Sequence, residues 1–168
     1  MSISMYTASV PVFRQILTSL STILQKAEEH AQANKIDPDA LLGARLFPDM
    51  FPLLRQVQLV TDFAKGAAAR LAGADVPRYE DVETDFAGLQ ARLEKTLAFL
   101  DTVAREDVDA GAGRDITVGT GANVREFEGL TYLLHYALPN FYFHATTAYD
   151  ILRHNGVVIG KRDFIGSI

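Results

Sequence analysis

Cysteine and tryptophan are both missing from this 168-residue chain. Without cysteine there is no disulfide framework, no thiolate nucleophile and no Cys-type zinc site, and a cytoplasmic location is expected. Basic charge is scarce too. The formal net charge is −5, and the one concentrated basic spot, Lys161-Arg162, is followed at once by Asp163. Phosphate backbones are held by clustered Lys and Arg, so nucleic acid is not an expected partner. No apolar run approaches the roughly 18 residues of a membrane span, so neither is a membrane. Met1 to Tyr6 lacks the basic region and apolar run of a signal peptide. There is also no Gly-Lys-Ser/Thr phosphate loop, no nucleophile elbow and no His-Glu-x-x-His.

What remains is an ordinary globular composition, 48% hydrophobic and 22% charged. That length and composition suit one buried core, hence a single domain over residues 1–168. Four segments carry helical periodicity. The first starts near Ser9 with Pro11 in its first turn, and its apolar residues run from Phe13 to Ala27 at helical spacing. The second follows Asp49, with Pro52 near its start and a seam of Leu53, Val57, Val60, Ala64, Ala67 and Leu71. The third is expected to begin near Tyr79. Glu80, Asp81, Glu83 and Asp85 would then sit in its first turns, where negative charge suits the helix dipole. Its seam would be Val82, Phe86, Leu89, Leu93, Leu97, Leu100 and Val103.

Glycines at 111, 113, 119 and 121 interrupt this pattern. Ile116 to Val118 and Val124 to Phe127 read as a small β-hairpin turning at Gly119–Asn123. A helical stretch from Leu130 to Ala137 then meets Pro139, which predicts a kink or short break at Leu138. The last helix runs from Pro139 to about His154 and stops at Asn155-Gly156. The tail from Val157 to Ile168 is apolar enough to be expected back across the helices. The stepping of the seams predicts an all-α, antiparallel four-helix bundle, with the hairpin between the third and last helices.

Two of the four histidines lie on the last helix. On a helical wheel Asn140, His144, Thr147, Ile151 and His154 share about a quarter turn. His144 is therefore the best candidate for a general base, a metal ligand or a ligand-pocket residue, against the alternative of a hydrogen-bonded core histidine. Asp150 and His154 are spaced for a surface pair. The second helix has a polar row, Gln58, Asp62 and Lys65, with Arg55 a turn earlier. Asp62 and Lys65 would pair with each other if exposed. If the row faces the last helix, Asp62 or Gln58 becomes the partner of His144.

Four motifs carry a family resemblance: Ala44-Arg-Leu-Phe-Pro-Asp-Met-Phe-Pro52, Asp62 to Gly73, Pro139-Asn-Phe-Tyr-Phe-His144 and Gly160-Lys-Arg-Asp-Phe164. Together they resemble a bacterial family catalogued as a domain of unknown function, itself similar to the DinB/YfiT-like superfamily. The resemblance spans nearly the whole chain and implies an antiparallel four-helix bundle, often a homodimer. It further implies a divalent metal held by three histidines, one from the second helix and two, four residues apart, from a later one. His144 fits one later position, but Asn140 and Ala148 flank it at that spacing and the second helix has no histidine. A mixed site of His144, Asn140 and Asp62 would be a weak, oxygen-rich one.

The leading expectation is thus a bundle that binds a small molecule near His144, Asn140, Asp62, Gln58 and Thr147, with a divalent metal not favoured. The alternatives are a metal-dependent hydrolase or thiol-group transferase with a degenerate ligand set, with His144 on the metal, and a structural dimerisation module.

Overall fold

The computed structural model describes residues 3–167. The first two residues of the N-terminal segment and Ile168 of the tail, which the readings above include, lie outside the described residues.

Four long helices make up just under half of the chain: α1 (Val10–Asn34), α3 (Leu53–Ala72), α4 (Phe86–Asp101) and α7 (Leu138–His154). Short helices fill the connections: α2 (Pro38–Leu42), α5 (Arg105–Asp109), α6 (Gly129–Tyr132) and α8 (Lys161–Ile165). Strands β1 (Asp115–Val118) and β2 (Arg125–Glu128) form the hairpin, antiparallel with Asp115 opposite Glu128 and Val118 opposite Arg125. The protein is therefore mostly helical with one small two-stranded sheet. Among the described residues no helix is long and apolar enough to cross a membrane.

The packing follows from the apolar seams. Helix α3 lies against both α7 and α4, and α1 lies against α4 and more narrowly against α7 and α3. The seam from Leu53 to Leu71 is completely buried. Phe13 of α1 meets Phe141 of α7 edge-on at 4.9 Å between ring centres. The hairpin turns Ile116 and Val118 inward onto this core. Its approach needs two glycines. A Cβ at Gly111 would overlap the Leu71 carbonyl, and one at Gly129 would overlap the Gly111 carbonyl. The tail does return across the helices: α8 packs on α1, with Lys26 Nζ 2.6 Å from Asp163 Oδ1 and Gln15 donating to the Ile165 carbonyl at 2.8 Å.

Two expectations need correction. The third long helix starts at Phe86, not Tyr79, with Asp85 as its cap accepting from Gly88 N at 2.7 Å. Residues 74–85 form an irregular strap, and Val82, expected in the seam, is 70% exposed. Glu80, Asp81 and Glu83 therefore flank α4 rather than loading its first turn. Secondly, Leu138 stays helical (φ −62°, ψ −46°) despite the following proline. A π-helical turn over Leu133–Ala137 joins α6 to α7, and Leu138 N–H reaches the Leu133 carbonyl five residues back. The wider turn absorbs the disturbance that Pro139 introduces, so Leu138 is not extended and the helix is continued rather than broken.

Candidate functional site

His144 lies on the inner side of α7, 9% exposed, where α7 packs against α3. Its partner is Gln56, one residue before the seam residue Val57. His144 Nδ1 and Gln56 Oε1 are 2.7 Å apart. Gln56 Nε2 donates to the Phe51 carbonyl at 3.1 Å, so the amide oxygen is the atom turned to the imidazole. An amide oxygen only accepts, and this places the proton on Nδ1 and leaves Nε2 with its lone pair. Among the described residues every fully buried side-chain nitrogen or oxygen has a partner. Nε2 has none among the described residues and so is not fully buried.

The ring is held on two sides. Phe63 of α3 stacks on it at 5.6 Å, and the half-exposed Phe143 meets it edge-on at 5.3 Å. Burial, and secondarily the positive charge of Arg55, hold its pKa below the ordinary 6.5. Both effects penalise imidazolium. At neutral pH His144 is an uncharged ring, fixed in one tautomer, offering one acceptor nitrogen.

The other predicted residues go elsewhere. Asn140 donates back to the Tyr136 carbonyl of its own helix at 2.7 Å, at the end of the π-turn. Thr147 likewise bonds the Phe143 carbonyl at 2.7 Å. The row Gln58, Asp62 and Lys65 faces α4 and the strap. Gln58 donates to Glu83 at 2.8 Å and accepts from Arg55 at 3.0 Å. Asp62 does pair with Lys65, at 2.6 Å, but this is no exposed surface pair, because Lys65 is buried beneath the Tyr79 ring. Asp150 and His154 are exposed, and no ion pair forms between them among the described residues.

Asp62 also serves a residue that the sequence reading passed over. Arg92 of α4 is 3% exposed, and its guanidinium is met by Asp62 at 2.9 Å, Asp81 at 3.1 Å and Glu83 at 3.0 Å. Its Nε donates to Thr61 Oγ1 at 2.7 Å. For Glu83, burial alone would raise the pKa, but hydrogen bonds from Gln58 and Arg92 outweigh it and hold the carboxyl below its usual value. These carboxylates are spent on a buried cation. The only sequence signal was an arginine at the phase of the α4 seam, four residues after Gly88.

A metal does not fit this donor set. Among the described residues no group of three or more His, Asp or Glu side chains is placed to hold a metal ion, and the three carboxylates that do converge surround the Arg92 guanidinium. His144 Nδ1 is bonded to an amide, Asn140 is turned to its own backbone, and Asp62 is already neutralised by Arg92 and Lys65.

Residues 5–165 match the family model DUF1993, a domain of unknown function. The chain belongs to this family. A crystal structure of a DinB family member protein from Shewanella denitrificans superposes on this DUF1993 chain with a TM-score of 0.89. The two are 40% identical, and the match covers 97% of this chain and 92% of that one. No curated protein matches. The DUF1993 chain is thus similar in fold to a DinB family member, and its second long helix places Gln56, rather than a histidine, against His144.

Proposed function

We propose that this DUF1993 protein binds a small molecule at His144 without a metal, on the frame of an antiparallel four-helix bundle built from α1, α3, α4 and α7. The observation that carries the reading is the Nε2 of a neutral His144, not fully buried and without a partner among the described residues, with the tautomer set by Gln56. Such a nitrogen accepts a hydrogen bond from a hydroxyl, phenol or amine N–H of a ligand, and the apolar rings of Phe63 and Phe143 pack against the ligand's body. The test is a thermal-shift screen of small phenols and alcohols on wild type, His144→Ala and Gln56→Leu. A hit must stabilise wild type and lose its effect in both variants; a library in which every hit is indifferent to both substitutions refutes the reading.

A second reading, a homodimer, is favoured by one observation. Phe47, Phe51 and Phe143 are 63%, 55% and 56% exposed, and Phe51 and Phe143 both adjoin the His144 site. Exposed aromatics of this size favour a contact surface, and a second copy seated over Phe143 would wall the site.

A further inference from the structure

A cavity of about 200 Å³ lies on the far side of Phe63 from His144, between α3, the π-turn and the hairpin. Its walls include Phe63, Tyr132 and Tyr136, with Val118 and Gly119 from the hairpin, and Arg70 and Asp62 supply its charge. The two acidic and basic groups are not equivalent. Asp62 is neutralised by Lys65 and Arg92. No carboxylate pairs with Arg70 among the described residues. Among the described residues its side chain makes one hydrogen bond, a long one of 3.5 Å to the Tyr132 hydroxyl.

The bland explanation of Arg70 is its position in the last turn of α3, where a cation complements the helix dipole. The side chain is not used that way. It turns back over Gly66, one turn towards the helix N-terminus, so closely that a Cβ on Gly66 would sit 2.6 Å from Arg70 Nη1. The missing side chain at Gly66 is what lets the guanidinium reach the buried Tyr132. A planar cation is therefore held at an aromatic cavity with its charge uncompensated.

We infer that this cavity is a binding site for a small carboxylate with an aromatic or compact apolar body, the carboxylate on Arg70 and the body against the wall formed by Phe63, Tyr132 and Tyr136. The guanidinium fork matches a carboxylate in two parallel hydrogen bonds, and the rings pack a flat body by offset or edge contacts. The volume is below the roughly 300 Å³ at which drug-sized sites begin, which restricts the ligand to about the size of benzoate. The site is distinct from that of His144: Phe63 stands between them, stacking on His144 and lying 6.0 Å from the Tyr136 ring.

The test is an NMR titration of the full chain with benzoate, with benzyl alcohol and inorganic phosphate run in parallel, on wild type, Arg70→Met, Gly66→Ala and His144→Ala. Saturable shifts with benzoate are expected at residues of the cavity. Affinity should fall about tenfold or more in Arg70→Met and for benzyl alcohol, the loss of a charge-assisted pair. Gly66→Ala, which displaces the guanidinium while keeping it, should weaken benzoate as well, and His144→Ala should leave it within about twofold. The inference is overturned by no saturable benzoate shift, by equal binding in Arg70→Met, or by benzyl alcohol or phosphate binding as tightly as benzoate. Loss of benzoate in His144→Ala would assign the ligand to His144 instead, and would also overturn it.

Discussion

A glutamine amide beside an imidazole can accept or donate. At Gln56 the Phe51 carbonyl decides, by taking the amide N–H at 3.1 Å and leaving Oε1 for His144 at 2.7 Å. Long-range proton–nitrogen NMR should accordingly show His144 as the Nδ1–H tautomer at neutral pH, and the Nε2–H tautomer would contradict the arrangement. The same geometry fixes a pH dependence. Burial first, and the charge of Arg55 second, lower the folded pKa below 6.5, so the unfolded chain binds more protons and stability rises with pH. The contribution is complete above pH 6.5 and is lost as pH falls below it through the folded pKa. Urea denaturation across this range should give a steeper loss for wild type than for His144→Gln, and equal slopes would refute the claim. His144 was legible in the sequence because a polar residue on a helix face needed for burial stands out by its phase. Gln56 was not, because α3 is buried on more than one side, and a single apolar seam hides the polar residues that face the second neighbour.

Between elements, the most consequential contact is the closure of the strap over α4. A guanidinium that is 3% exposed must be neutralised by carboxylates from outside its own helix. Asp81 and Glu83 come from the strap, and Asp62 from α3. Arg92→Met should remove about 3–5 kcal/mol, the usual effect of taking one partner from a buried ionic cluster, because the mostly buried Glu83 then has no cation among the described residues while Asp62 keeps Lys65 and Asp81 keeps Arg55. A loss in urea denaturation below about 1 kcal/mol would show that the cluster contributes only as an exposed pair does. The run of acidic residues from Glu80 to Asp85 has the composition of a helix first turn, and that made the start of α4 read seven residues early. Composition near a helix end cannot separate a dipole effect from ion pairing to a residue further along the chain. Pro139 misled in the opposite direction. Its local bias towards a break is real, but the π-turn before it accommodates the ring, and nothing in Leu133–Ala137 marks a π-turn in advance.

Across the whole molecule, the four long helices were legible because their seams repeat, and the hairpin because its glycines bracket short alternating runs. The exposed aromatics at residues 47, 51 and 143 were less so, since a phenylalanine looks the same in sequence whether it is covered or bare. If a second copy covers them, sedimentation equilibrium should find a dimer for wild type and a monomer for the Phe51→Ser, Phe143→Ser double variant; a monomeric wild type at micromolar concentration would refute the homodimer.

The central claim is that His144 acts through a hydrogen-bonding nitrogen and not as part of a metal centre. Elemental analysis of protein purified without chelator or metal-affinity tag tests it most directly, with His144→Ala alongside. Neither protein should carry metal in stoichiometric amount. About one divalent ion per chain in wild type, lost in His144→Ala, would contradict the account.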